Sequence, residues 1–102
     1  MATVKHTTGN VVQVLKDPQG SQQITLGAAA TTLTVPANAT TALIQALVQN
    51  VRYRLDSDDA APTASSGLQL TAGSLLVYDG DLSQIRFIRE AAGAILEIEY
   101  LG

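Results

Sequence analysis

The chain of 102 residues carries six basic and nine acidic side chains, which give a formal net charge of −3. A chain of this length forms one domain and buries roughly two thirds of the surface that its unfolded form exposes. The negative charge disfavours binding of nucleic acid through its phosphates. Because the chain has no cysteine, a disulfide framework and a thiolate zinc site are both excluded.

The amino-terminal segment MATVKHTTGN has one lysine and no apolar core after it, which is not the pattern of a secretory signal. The apolar stretches of the chain are too short and too interrupted to span a bilayer. We therefore expect no membrane partner. The composition is rich in Ala, Thr, Leu, Val, Gln and Gly, which favours strands and turns over a bundle of charged helices.

Residues 1–10 are polar, lack periodicity and end in the turn-forming pair Gly9-Asn10, so we predict an amino-terminal arm there. Residues 11–102 are predicted to form the folded domain. Its first strand is predicted at the β-branched run 11–15, and the segment 16–20, with its Pro and Gly, is predicted to be a turn.

Further short strands are predicted from local patterns. Residues 24–26 are a brief apolar candidate, and residues 31–35 alternate polar and apolar side chains, which directs Leu33 and Val35 to one face. The segment 42–48 fits the spacing of one helical face as well as a strand. Since predicted strands flank it on both sides, we favour a strand.

Residues 51–55 alternate so that Tyr53 and its apolar neighbours face inward while Arg52 and Arg54 face outward. The polar segment 56–67 then predicts a long loop. Residues 68–70 and 74–78 are two more predicted strands, and Asp79-Gly80 is a strong tight-turn signal.

The last two strands are predicted to form a hairpin with the loop 90–93, with Ile85 and Phe87 facing the core. In the register that matches this loop, Ile85 lies opposite Ile98 and Phe87 opposite Leu96 on the core face. On the solvent face, Arg86 lies opposite Glu97 and Gln84 opposite Glu99.

Some eight short strands separated by Gly or Pro turns predict an all-β fold. We expect a single-domain antiparallel β-sandwich or jelly-roll with an amino-terminal arm, with a small barrel as the alternative. Local patterns do not define the strand topology.

Two acidic clusters could suggest chemistry. Asp56, Asp58 and Asp59 resemble part of a calcium loop, but the required Gly and the closing Glu are missing, which favours a solvated acidic turn. Asp79 and Asp81 flank Gly80, where the turn-stabilising role of Asp explains them fully. We therefore predict no metal site and no cofactor.

Catalysis is also disfavoured by the pattern of nucleophiles and bases. His6 is the only histidine and lies in the predicted arm without a partner. No serine or threonine falls in a nucleophile-elbow pattern, and a triad would have to recruit that same histidine. We expect that the protein is not an enzyme and has no catalytic residues.

The basic side chains offer two interpretations. One is a contact surface for an acidic protein partner; the other, which we weight more highly, is cross-strand pairing with Glu97, Glu99 or the aspartates. The three tyrosines, at positions 53, 78 and 100, fall at inward positions and are predicted to be core-edge residues. The candidate interface residues are Lys5, His6, Arg52, Arg54, Arg86 and Arg89.

Several of these segments together resemble a recurrent small β protein encoded among the virion genes of tailed bacteriophages. The resemblance extends from about residue 31 to residue 100. In two places the chain departs from the pattern: the linker before the Pro-Thr pair is longer and more acidic, and residues 46–48 are more apolar. The segments that carry the resemblance are residues 35–36 (VP), 42–45 (ALIQ), 51–54 (VRYR), 62–64 (PTA), Gly67, Leu70, 72–73 (AG) and 78–88 (YDGDLSQIRFI).

The resemblance implies a structural virion protein, with capsid decoration or cementing of the head shell as the expected function. Its expected partners are the major capsid protein and further copies of itself, as homo-dimers or homo-trimers. The implied location is the capsid exterior, after assembly in the host cytoplasm. The alternatives are a neck, tail or fibre component, or a receptor- or carbohydrate-binding module. A carbohydrate-binding module is disfavoured because three Tyr, one Phe and no Trp leave few aromatic rings for sugars to stack on.

The predicted arm allows a direct test, because an arm can add a strand to the sheet edge of a neighbour. Deletion of residues 1–10 is expected to weaken shell attachment or self-association and to leave the fold intact. Sedimentation with purified shells and circular dichroism measure the two properties. Unchanged attachment and oligomeric state would rule out this role of the arm.

Overall fold

The computed structural model describes residues 5–8, 11–14, 16–58 and 60–102. Within these ranges the regular secondary structure consists of β-strands, without helices. Within these ranges, no helix has the length and hydropathy needed to cross a membrane. The prediction of an all-β fold is confirmed. The strands are β1 (Lys5–Thr8), β2 (Val11–Val14), β3 (Pro18–Thr25), β4 (Thr31–Thr32), β5 (Thr41–Leu47), β6 (Val51–Arg54), β7 (Leu68–Leu70), β8 (Leu75–Tyr78), β9 (Arg86–Arg89) and β10 (Ile95–Leu101).

Eight of these strands form two four-stranded antiparallel sheets. The first sheet has the order β3-β10-β5-β8 and the second has the order β4-β9-β6-β7. The remaining strands, β1 and β2, pair with each other in a separate two-stranded sheet. The side chains that face inward from the two large sheets form the core of a β-sandwich.

The strand pairing is nested. β3 pairs with β10, β4 with β9, β5 with β8, and β6 with β7, which is the pattern of one long hairpin. Two further pairings, β10 with β5 and β9 with β6, roll this hairpin into two facing sheets. Eight strands connected in this way form a jelly roll.

The predicted hairpin between the last two strands is wrong. Phe87 pairs with Thr31 and Tyr53 in the second sheet, whereas Leu96 pairs with Ile24 and Ala46 in the first. Residues 90–94 carry the chain from one sheet to the other, because the nested pairing assigns β9 and β10 to different sheets.

The other residues of that predicted register are displaced as well. Arg86 lies opposite Thr32 and Arg54, and Glu97 lies opposite Gln23 and Gln45. The facing of Ile85 and Phe87 was nevertheless predicted correctly, since both side chains are fully buried.

The predicted turn at 16–20 is also wrong, because β3 already begins at Pro18. Pro18 is the first residue of an edge strand, where a missing N–H costs no ladder hydrogen bond. Asp17 and Gly102 exchange backbone hydrogen bonds of 3.1 and 2.9 Å just before this point. The start of β3 is thereby aligned by Gly102, which lies far away in sequence.

The ambiguous segment 42–48 is a strand as far as Leu47, as predicted, and its side chains alternate from Ala42 onwards. Ala42, Ile44 and Ala46 are fully buried, while the side chains between them face outward. Val48 ends the strand with a φ of 74°, and Gln49 N–H donates to the carbonyl of Leu47 at 2.9 Å. This is a γ-turn, a tight connection that a β-branched residue rarely adopts.

The core fills the space between the sheets, where burial of each large apolar side chain contributes about 1.5–3 kcal/mol. The rings of Tyr53 and Phe87 pack with centroids 5.7 Å apart. Tyr100 is buried, its hydroxyl donates to Gln22 Oε1 at 2.7 Å, and burial raises its pKa to about 12. The other buried core residues are Leu26, Leu33, Ala42, Ile44, Ala46, Val51, Leu70, Leu82, Ile85, Ala94, Leu96 and Ile98.

Gly67 lies where the loop 55–67 returns to the second sheet, with a φ of +106°, and a Cβ there would approach Tyr53 O to 3.0 Å and Pro62 Cβ to 3.3 Å. Gly73 has a similar φ of +86° but open space around it. Substitution Gly73→Ala should cost about 1 kcal/mol of unfolding free energy from the backbone. Gly67→Ala should cost about 1–3 kcal/mol more, because it adds overpacking.

Urea denaturation of the two variants beside the unmodified protein measures this difference. Equal losses for both would show that the loop is not packed tightly against β6.

Candidate protein-interaction surfaces

The two outer faces of the sandwich carry opposite charges. In β6 and β9, Val51, Tyr53 and Phe87 point into the core, so Arg52, Arg54 and Arg86 lie on the outer face of the second sheet. In β10, Leu96 and Ile98 are buried while Glu97 and Glu99 are exposed on the outer face of the first sheet. These arginines and glutamates therefore lie on opposite sides of the sandwich and do not pair.

Arg52 pairs with an acid that the sequence analysis did not single out. Its Nε donates to Glu90 Oε2 at 2.6 Å, and its Nη1 donates to the carbonyl of Gly67 at 3.1 Å. The Nε2 of Gln69 donates to the same carboxylate oxygen at 2.7 Å. The network joins β6, β7 and the turn after β9, so Arg52 has an internal structural role.

Arg54 and Arg86 lie directly opposite each other on β6 and β9, an arrangement that like charges disfavour. Arg86 Nη2 donates to the carbonyl of Asp56 at 3.2 Å. The loop 55–67 approaches here, since the backbone N–H and the hydroxyl of Ser57 both donate to Gln84 Oε1. Both arginine side chains are half-buried, so they do not form an open basic patch.

Arg89 is separate from the other arginines. It ends β9 opposite Val51, is half-buried, and lines a cleft beside the loop 55–67. Lys5 and His6 lie in β1, where the structure describes the strand but not the side chains. The six predicted interface residues thus do not converge on one described surface.

The outer face of the first sheet presents a different feature. On β8, Leu75 and Val77 are 58% and 60% exposed, and Val77 lies opposite the half-buried Leu43 of β5. We call these three side chains the apolar face. Contiguous exposed apolar side chains of this kind are typical of interaction sites.

The strand that carries the apolar face is also a sheet edge. β8 is the last strand of the first sheet, and its sequence, LLVY, contains no charge and no proline. In the described part of the chain, the backbone of β8 bonds only to β5. Natural proteins usually protect such edges, whereas this one leaves backbone groups to which the strand of another chain can bond.

The apolar face was not predicted from the sequence, although the sequence contains a signal for it. Tyr78 packs against the core, in agreement with its predicted inward position. Period-two alternation from Tyr78 places Leu76 inward and Leu75 and Val77 outward. The run of four apolar or aromatic residues obscured this, because such a run also fits a strand buried on both faces.

The acidic segments form turns. Asp56 Oδ1 accepts from the N–H of Asp58 at 2.8 Å, while Asp59 lies outside the described residues. Asp81 Oδ1 accepts from the hydroxyl and the N–H of Ser83 at 2.6 and 3.0 Å, which lowers the pKa of Asp81. Across the described ranges, no three His, Asp or Glu side chains come together in a way that could hold a metal ion.

No family model, curated protein or solved structure matches the chain.

The network around Glu90 predicts a pH dependence of stability. The hydrogen bond from Gln69 is the largest cause that holds the pKa of Glu90 below its usual 4.5, and Arg52 adds to it. A lowered folded-state pKa gives stability that is present above about 4.5 and is lost as the pH falls through the folded-state value. The variant Glu90→Gln should therefore be less stable than the unmodified protein at pH 7, and this difference should shrink towards pH 3.

Urea unfolding at a series of pH values measures that difference, and Gln69→Leu is a second variant that should also flatten the acid limb. A gap between Glu90→Gln and the unmodified protein that stays constant from pH 7 to pH 3 would contradict the assignment.

Proposed function

We propose that this protein is a structural virion protein of a tailed bacteriophage that decorates the capsid and stabilises the head shell. The observation that carries the proposal is the apolar face beside the unprotected edge of β8. A side chain such as Leu75, exposed at 58%, loses contact with water when a partner covers it, which favours association.

The fold is compatible with this role but does not specify it. Jelly rolls include viral capsid domains, and they also include lectin and cupin domains. The three tyrosines, positions 53, 78 and 100, lie in or against the core, so they are not arranged as an outward sugar-stacking platform. The resemblance of residues 31–100 to phage virion proteins favours the capsid role.

The layout of the first sheet suits docking on a larger protein surface. The apolar face lies on β8 and β5, while Glu97 and Glu99 lie on the adjacent β10. Interfaces commonly combine an apolar centre with a polar rim, and rim charges steer association towards an oppositely charged patch. The partner that fits is a capsid protein surface with an apolar depression beside basic side chains.

Self-association adds to shell binding in this proposal. The free edge of β8 can pair with a neighbouring chain through backbone hydrogen bonds, and the sheet formed by β1 and β2 offers further edges. Copies linked around a symmetry axis would each contact the shell, so the assembly would bind more tightly than one copy.

The apolar face allows a matched test with isolated shells. The double variant Leu75→Glu and Val77→Glu should bind shells at least tenfold more weakly, because burial of each side chain contributes about 1.5–3 kcal/mol. Thr32→Glu is the control, since Thr32 is exposed on an edge strand of the other sheet. Co-sedimentation measures binding, and circular dichroism verifies the fold of both variants.

Equal shell binding by the double variant and the control would refute the apolar face as the docking surface. The position of the protein in purified particles tests the role itself. Copies on every capsomer support decoration, whereas a single ring at the portal would indicate a neck or tail component.

A further inference from the structure

We infer that the cleft at the end of β9 binds an extended acidic segment of a partner protein, which adds to the open edge of β9 and places a carboxylate on Arg89. The inference is independent of the virion role. It concerns the second sheet, whereas the proposed shell-docking face belongs to the first sheet.

The cleft has a volume of about 530 Å³ and is bounded by the segments 28–30, 61–64 and 88–92. Alanine supplies most of its walls, while Ile88 and Pro62 are buried beside it. Side chains this small let the backbone of another chain approach closely. A cleft of this volume is also within the range of specific ligand sites.

The edge of β9 is open where it borders the cleft. The short strand β4 pairs with Arg86 and Phe87 only, so Ile88 and Arg89 have β6 on one side and no described strand on the other. In an antiparallel strand, successive residues direct their backbone groups to opposite sides. One of these two residues therefore presents its N–H and C=O to the cleft, and no described backbone group outside the sheets bonds to it.

Arg89 supplies the charge. Its guanidinium makes no hydrogen bond or ion pair with any residue in the described part of the chain. The adjacent Glu90 does not neutralise it, because its carboxylate already accepts from Arg52 and Gln69. A half-buried guanidinium beside apolar walls interacts with a carboxylate more strongly than it would in open water.

These features together select one kind of occupant. An open strand edge selects an extended peptide, small apolar walls select short side chains, and an uncompensated arginine selects Asp or Glu. The occupant is therefore a β-type segment in which one acidic residue is flanked by small apolar residues.

The probe is the blocked pentapeptide Ala-Val-Glu-Val-Ala, compared with Ala-Val-Gln-Val-Ala, each titrated into the full-length ¹⁵N-labelled protein. We expect amide shifts confined to residues 28–30, 61–64 and 88–92, with the Gln peptide binding at least tenfold more weakly. An N-methylated Glu peptide should also bind more weakly, since it cannot donate to the strand edge.

Arg89→Gln should remove the preference for the Glu peptide, and Arg89→Lys should retain part of it. Lys16→Gln is the matched control, because it removes the same charge near Thr41, which pairs with Leu101 at the far end of β10. This control should bind both peptides as the unmodified protein does.

Thermal unfolding of each variant establishes that it is folded. The inference is overturned if the Glu peptide leaves the cleft amides unshifted, if both peptides bind equally, or if folded Arg89→Gln retains the preference.

Discussion

The nested pairing of the strands is the constraint on which the rest of the structure depends. Once β3 pairs with β10 and β4 with β9, the last two strands must enter different sheets, and β10 becomes a central strand of the first. Its inward side chains, Leu96, Ile98 and Tyr100, are then almost completely excluded from water. Because a shift of one residue would turn these side chains outward, the hydrophobic core and the register stabilise each other.

The same pairing separates the charges. Glu97 and Glu99 follow β10 to one outer face, and Arg52, Arg54 and Arg86 follow β6 and β9 to the other. Arg52 then finds its acid in Glu90, just after β9, where Gln69 completes the network. Since Glu90 is engaged there, Arg89 keeps an uncompensated charge at the cleft. The ion pair between Arg52 and Glu90 thus decides whether the neighbouring Arg89 has a carboxylate partner.

The result is a small domain with a proposed interaction surface on each sheet. The apolar face lies on β8 and β5, and the cleft lies at the end of β9. Both adjoin backbone that no other described strand covers, so in both places side-chain recognition can combine with strand addition. A domain built in this way can connect two partners, a geometry that suits a protein that stabilises an assembly.

The sequence alone determined the strands whose signals are local. Alternation predicted a strand over residues 51–55, observed as Val51–Arg54, and directed Phe87 to the core, because side-chain direction follows from the backbone repeat. The flanking strands favoured a strand over residues 42–48, observed as Thr41–Leu47. The sequence did not determine the start of β3 at Pro18, the partners of Phe87, or the pairing of Arg52 with Glu90. Each of these depends on contacts between distant segments. The exposure of Leu75 and Val77 and the cleft at Arg89 likewise arise only from the tertiary structure, which decides which edges and charges remain without a partner.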